Sequence, residues 1–254
     1  MAAMHFIITG GSSGIGLVVA QLALAEGHRV SIIARNPDRL KDALDTLQYG
    51  ENVQALVADV KDADAIAQAI KTCSERFGDC DVLITSAGTV EPAFFSELTT
   101  TQFNEQLETN FFGTVNAIRA VYPDMERRGH GSIMMIASGA ALIGIPGYTA
   151  YCASKAALAS FAESLRSEVG RRIHIGISFP PDTLTPQYAS EILKRPVAAH
   201  ALLGSHTAWP VEKVAKGVFS GIRRRKKEVH FGWQLNALSW LGPFIKPFIY
   251  NRIG

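Results

Sequence analysis

The strongest constraint on the fold lies near the start of the chain. A short apolar run, His5 to Thr9, passes straight into Gly10-Gly11-Ser12-Ser13-Gly14-Ile15-Gly16 and then into helical periodicity from Ile15 to Glu26. A buried strand that turns on glycines into a helix is the opening of a βαβ unit. Glycines reach positive φ and lack the Cβ that would hold a ligand away from backbone N–H groups at a helix N-terminus. The rhythm then repeats: strand-length runs at Arg29 to Ala34, Val53 to Ala58 and Asp81 to Thr85 alternate with helical segments at Pro37 to Leu47 and Ala63 to Phe77. Near-continuous apolar strands separated by helices require a parallel sheet covered on both faces. The expected fold is therefore α/β, a doubly wound Rossmann-type sheet.

A long helical stretch from Thr101 to Arg127, a strand at Ser132 to Ala137, a helix from Tyr151 to Val169, a strand at Ile173 to Ser178 and a late strand at Glu228 to Phe231 extend the pattern. Between Pro180 and Pro210 five prolines break it, leaving one helical patch around Tyr188 to Lys194. Long excursions after strand carboxyl ends form ligand sites in open α/β sheets, so residues of about 180–210 are expected to form a substrate lid. No repeat or low-complexity linker divides the 254 residues, which predicts one domain ending in an apolar tail from about residue 232.

Composition removes several classes of function. A formal charge of +2 is too small for a broad basic face, so nucleic acid is not an expected partner. Cys73, Cys80 and Cys152 are odd in number and lack metal-ligand spacing, which points to a reducing compartment and no metal. The N-terminus lacks a basic region followed by a long apolar core, so no signal peptide is expected. These features predict a cytoplasmic protein, either free or peripheral on the cytoplasmic face of a membrane.

The turn residues Thr9, Gly10, Ser12, Ser13, Gly14, Ile15 and Gly16 stand where a dinucleotide pyrophosphate meets a helix N-terminus, although their spacing differs from GxGxxG. After the second strand an acidic residue would favour NAD; here Ala34-Arg35-Asn36 places a guanidinium where it can meet a 2′-phosphate, so NADP(H) is expected. Asp59, with Val60 beside it, could accept from an adenine amino group or cap a helix starting near Lys61.

Tyr151 and Lys155 lie four apart on one helical face, and Ser138 ends the preceding strand. Reduction of a ketone needs a proton donor for the developing alkoxide, and a cation beside a tyrosine is expected to lower its pKa towards a useful range. Lys155 can be that cation and can reach the cofactor ribose, while Ser138 can hold the substrate oxygen. A YxxxK pair alone is commonly a surface pair. The combination of glycine turn, strand-end Ser, Tyr and Lys is far more specific.

On these motifs the chain resembles the classical short-chain dehydrogenase/reductase family over nearly its full length. The resemblance implies that the TGxxxGxG turn binds the cofactor, that Ser138, Tyr151 and Lys155 carry catalysis, and that Asn110, in Asn110-Phe111-Phe112-Gly113, completes a proton-relay tetrad, the plain alternative being an Asn in a helix bend. It assigns Ala87 and Gly88 to the adenosine ribose, within a Thr85-Ser86-Ala87-Gly88 segment where the family has Asn-Asn-Ala-Gly. Where the family commonly has Pro-Gly-x-x-x-Thr, this chain reads Pro180-Pro181-Asp182-Thr183-Leu184-Thr185-Pro186. That run resembles the branch reducing 3-oxosphinganine with NADPH, and it brings Pro181, Thr183 and Thr185 to the nicotinamide side, although a double proline can also simply stiffen a loop. The implied substrate is a long-chain apolar ketone, and the family's habit implies a homo-oligomer, dimer or tetramer.

The tail Trp240-Leu241-Gly242-Pro243-Phe244-Ile245-Lys246-Pro247-Phe248-Ile249-Tyr250 is too short and too interrupted to span a bilayer but suits a membrane interface, with the basic run Arg223 to Lys227 nearby. It could equally cover the substrate pocket or a neighbouring subunit. Two other readings compete: a reductase of another apolar ketone, such as a steroid or 3-oxoacyl compound, and a catalytically silent cofactor-binding protein. The second would be expected to have lost Ser138, Tyr151 or Lys155, and all three are present.

Overall fold

The protein is described by a computed structural model covering residues 3–203 and 207–251. Residues 204–206 of the expected lid and 252–254 of the tail lie outside the described residues. Seven strands, β1 (His5–Thr9), β2 (Arg29–Ala34), β3 (Val53–Val57), β4 (Val82–Thr85), β5 (Gly131–Ile136), β6 (Ile173–Phe179) and β7 (Glu228–His230), form one sheet. Its order is β3-β2-β1-β4-β5-β6-β7, with every neighbouring pair parallel. The winding reverses between β1 and β4, and a crevice opens at the carboxyl ends of those two strands.

The helices are α1 (Gly14–Ala25), α2 (Pro37–Leu47), α3 (Ala63–Phe77), α4 (Thr100–Leu107), α5 (Gly113–Arg128), α6 (Thr149–Val169), α7 (Pro186–Glu191), α8 (Val197–Leu203), α9 (Val211–Arg223) and α10 (Gly232–Tyr250). Apolar faces of α3, α5 and α6 pack on one side of the sheet around Leu83, Ile133 and Ile175. Those of α1, α2 and α9 pack on the other, around Ile8, Ile32 and Met134. Burial on both faces explains why β1, β5 and β6 are buried at every position and carry no solvent-facing alternation.

Local chemistry fixes the boundaries. Asn36 accepts from the Arg39 N–H with Pro37 at the first helical position, so α2 starts there. Asp62 accepts from the Asp64 and Ala65 N–H groups and caps α3; Asp59, for which a cap is one of two readings, accepts from Lys61 N–H three residues earlier. The expected single helix from Thr101 to Arg127 is α4 and α5 joined by a π-helical turn at Glu108–Phe112. Such a turn widens the helix by one residue and commonly marks a functional site.

The expected lid contains two helices, α7 and α8, the second of which sequence periodicity does not suggest. The tail differs more. It forms α10, a helix of 19 residues that runs through Pro243 and Pro247. Each proline removes one i→i−4 bond, but on an exposed helix water can satisfy the freed carbonyl. Trp240, Phe244 and Phe248 are 81%, 73% and 74% exposed.

Candidate active site

A cavity of about 760 Å³ opens at the carboxyl ends of the central strands, within the range of small-molecule and cofactor sites. Its walls come from three sources: the turns after β1, β2, β3 and β4; the segment after β5 with the start of α6; and the lid with α10.

At the first source, Gly10, Ser12, Ser13, Gly14 and Ile15 face the cavity. Gly10 and Gly14 adopt φ of +70° and +56°, and a Cβ on Gly10 would come within 2.5 Å of the Ala87 nitrogen. Ser13 is the first-turn cap position of α1, but its side chain caps nothing, and no acidic residue lies in that turn. By contrast, α2, α3 and α4 are each capped by a side chain. The open N–H groups of α1 beside a glycine turn suit a diphosphate. Thr9 and Gly16 lie behind the wall instead: Thr9 is buried in β1, and a Cβ on Gly16 would strike the Gly10 carbonyl oxygen at 2.6 Å. They shape the turn from below.

Further along, Arg35, Asp59, Val60, Ala87 and Gly88 line the cavity. Arg35 stands 3.6 Å from Glu105, which also binds Lys61. Asn36, Arg39 and Ser86, which the sequence did not single out, line the same end. The Arg39 signal was available, since Asn36 and Pro37 start a helix directly after β2 and put Arg39 in its first turn, at the same strand end as Arg35. Gly113, the last residue of the Asn110-x-x-Gly113 pattern, has a physical reason: a Cβ there would lie 2.5 Å from Val60 Cγ2.

Ser138, Tyr151 and Lys155 all face the cavity. Lys155 Nζ donates to the Ile136 carbonyl at 3.0 Å and lies 5.7 Å from the Tyr151 ring centre. Burial lowers the Lys155 pKa to about 8. Burial also raises the Tyr151 phenol well above its usual range, the negative charge of Glu191 adds to the rise, and the Ser138 hydroxyl opposes it. The expected lowering of Tyr151 by Lys155 is thus not the balance in this structure, because burial penalises both charged forms. A phenol held protonated is still a competent proton donor.

Asn110 does not face the cavity. It is fully buried on the π-helical turn, where Nδ2 donates to the Thr89 carbonyl and Ser154 Oγ, each at 2.9 Å, and Oδ1 accepts from Thr89 N–H at 2.8 Å. Its amide is spent on holding the irregular segment after Gly88 against α6.

Pro181, Thr183 and Thr185 line the cavity. The Thr183 hydroxyl donates to the Pro181 carbonyl at 2.7 Å, and Thr185 Oγ1 caps α7 by accepting from Tyr188 N–H. A Cβ on Gly14 would meet the Thr185 methyl at 3.2 Å, so the lid closes onto the glycine turn. Trp209 ties the lid's two ends, its N–H donating to Asp182 and its carbonyl accepting from Leu184. Sequence reasoning missed the polar group that the lid residues Asp182, Glu191 and Arg195 form with Tyr148, whereas the apolar wall from α10, Leu235, Leu238, Ile245 and Ile249, matches the alternative in which the tail covers the pocket.

The comparisons with known proteins agree with this geometry. A 3-dehydrosphinganine reductase of Arabidopsis thaliana is 39% identical over 92% of this chain and 72% of its own length. One of Danio rerio is 35% identical over 92% of this chain and 74% of its own. The crystal structure of a short-chain dehydrogenase from Streptomyces avermitilis superposes with a TM-score of 0.82 at 26% identity, covering 98% of this chain and 96% of that one. The family model described as short chain dehydrogenase matches residues 4–195, three quarters of the sequence. The chain belongs to the short-chain dehydrogenase family.

Proposed function

We propose that the protein is an NADPH-dependent reductase of 3-oxosphinganine, producing sphinganine. The observation that carries this reading is one cavity that joins an uncapped glycine turn, the Ser138–Tyr151–Lys155 group and a long apolar wall. The nature of the sphinganine-forming relatives supports the substrate.

Gly10, Ser12, Ser13, Gly14 and Ile15 would hold the pyrophosphate through backbone N–H groups, and Arg35 with Arg39 would meet the 2′-phosphate. Asp59, Val60, Ala87 and Gly88 would line the adenosine, and Pro181, Thr183 and Thr185 the nicotinamide. The bound cofactor supplies a hydride to the carbonyl carbon. Tyr151 Oη gives its proton to the carbonyl oxygen as charge develops there, and the Ser138 hydroxyl donates a hydrogen bond to that oxygen. Lys155 offers its ammonium to the cofactor ribose and to the phenol, stabilising the phenolate left behind. Asn110 acts by positioning: it fixes Thr89 and α6, and with them Gly88 and Tyr151. The alkyl chain of the substrate lies along Leu235, Leu238, Ile245 and Ile249.

The test is anaerobic incubation of purified protein with NADPH and 3-oxosphinganine, following absorbance loss and sphinganine by mass spectrometry. One sphinganine should appear per NADPH consumed; no sphinganine would defeat the reading.

The exposed aromatic face of α10 supports a peripheral membrane contact, since among the described residues no helix is long and apolar enough to cross a bilayer. Replacing Trp240, Phe244 and Phe248 together by Ser should abolish co-sedimentation with anionic vesicles; undiminished binding would rule the contact out. Homo-oligomer formation through the long helices is a further part of this reading, and light scattering on the same sample would decide it.

A further inference from the structure

The charged residues lining the cavity divide by sign. Towards the nucleotide end are Arg35, Arg39 and Asp59, a formal +1; inside the lid are Asp182, Glu191 and Arg195, a formal −1. Lys155 lies between them.

The lid group is closely bonded. Arg195, with its side chain 4% exposed, grips Asp182 through both carboxylate oxygens, at 2.6 and 3.1 Å. It also donates to Glu191 Oε1 at 2.7 Å and to Tyr148 Oη at 3.0 Å, while the Tyr148 hydroxyl donates to the same Glu191 Oε1 at 2.7 Å. Asp182 therefore has both oxygens neutralised by one guanidinium. Glu191 does not: both of its bonds fall on Oε1, and Oε2 has no hydrogen-bond donor among the described residues. One guanidinium thus serves two carboxylates, and Glu191, its side chain 13% exposed, is the one with an oxygen left for another cation.

Its position relates it to the chemistry. The Tyr148 hydroxyl that bonds Glu191 Oε1 belongs to a ring packed edge-on against the Tyr151 ring, centroids 6.2 Å apart, which links the Glu191 carboxylate to the proton donor through one aromatic ring. Oε2 is accessible rather than sealed in the core, and the low-dielectric wall around it strengthens its attraction for a cation that enters the cavity. Its field reaches the Tyr151 phenol.

We infer that Glu191 selects ketones that carry a cationic amine next to the carbonyl, its Oε2 pairing with the ammonium while Tyr151 addresses the ketone oxygen. This rests on the proposed reduction of 3-oxosphinganine and adds to it the residue that reads the amine. Arg195 and Tyr148 are positioning residues: they hold Oε1 so that Oε2 stays directed for binding.

The experiment compares kcat/KM for 3-oxosphinganine and for the matched long-chain 1-hydroxy-3-ketone without the amine, with NADPH, in wild type, Glu191→Gln and Glu191→Asp. Thermal melting and NADPH fluorescence titration confirm that each variant is folded. Wild type should prefer the amino ketone at least about tenfold. Glu191→Gln, which keeps the Oε1 contacts, should bring the ratio to within about threefold, chiefly through KM for the amino ketone, and Glu191→Asp should restore part of it. A wild type indifferent to the amine, or a Glu191→Gln enzyme with the preference intact, overturns the inference while leaving ketone reduction standing. If neither ketone is reduced, the parent reading falls with it.

Discussion

The nucleotide end of the cavity and its lid end are built on different principles. Near β1 and β4 the wall is the glycine turn, open N–H groups of α1 with glycines at +70° and +56°, and small residues at strand ends, flanked by Arg35, Arg39 and Asp59. The lid end is mostly side chain, a four-residue ionic group against an apolar helix face. Backbone geometry serves any dinucleotide, so it can be shared across a family. Side-chain chemistry has to fit one substrate. The contrast implies that chemistry and specificity separate along the cavity, and that substitutions at the two ends should fail differently.

The largest expected effect lies where the ends meet. Tyr151→Phe should lower turnover by about 10³-fold or more with every ketone while NADPH still binds, measured by stopped-flow absorbance and fluorescence titration. A variant retaining a tenth of the activity would refute its role as proton donor.

At the lid end, Arg195→Met removes the counter-charge shared by Asp182 and Glu191, whose side chains are 32% and 13% exposed. Loss of about 3–5 kcal/mol in denaturant unfolding is expected, together with loss of turnover. An unchanged midpoint would mean the lid group bears no structural weight.

At the nucleotide end, Arg35→Glu should reduce the preference for NADPH over NADH by about 10²-fold with little change in stability, since Arg35 is a surface group. Unchanged cofactor preference would shift the 2′-phosphate assignment to Arg39.

The smallest effect concerns stability alone. The folded pKa of Lys155, about 8, lies below its ordinary 10.5, so between those values the unfolded chain holds more protons and stability rises with pH. Below about pH 8 the buried charge works against folding. Lys155→Met should therefore gain on the order of 1–3 kcal/mol at neutral pH, lose that gain above about pH 10.5, and be inactive. A destabilised variant at pH 7 would show that the Ile136 contact outweighs the burial cost.

The same contrast explains what the sequence made legible. Residues whose role follows from adjacency could be read directly: β2, α2 and α3 have the bounds that periodicity suggests, and the glycine turn, Ser138, Tyr151 and Lys155 meet in one cavity. Residues whose role follows from the three-dimensional path could not. Glu191 and Arg195 were visible as an i,i+4 pair, but only the return of the lid to Asp182 and Tyr148 makes them a buried group. The tail's helix was not legible from its sequence, because Pro243 and Pro247 disfavour a helix locally and an exposed one tolerates them where water satisfies the freed carbonyls. Asn110 falls on the middle helix as expected, and at a helix irregularity as the plain alternative had it, but the partners of its amide, Thr89 and Ser154, come from distant segments.

The division of labour along the cavity is tested most directly by a ketone panel with NADPH: 3-oxosphinganine, a steroid ketone and a 3-oxoacyl thioester, each with and without anionic vesicles. The account predicts a kcat/KM for 3-oxosphinganine about 10²-fold or more above the others. Equal or greater turnover of the steroid or thioester would contradict it, leaving the nucleotide end intact and the lid end assigned to the wrong substrate.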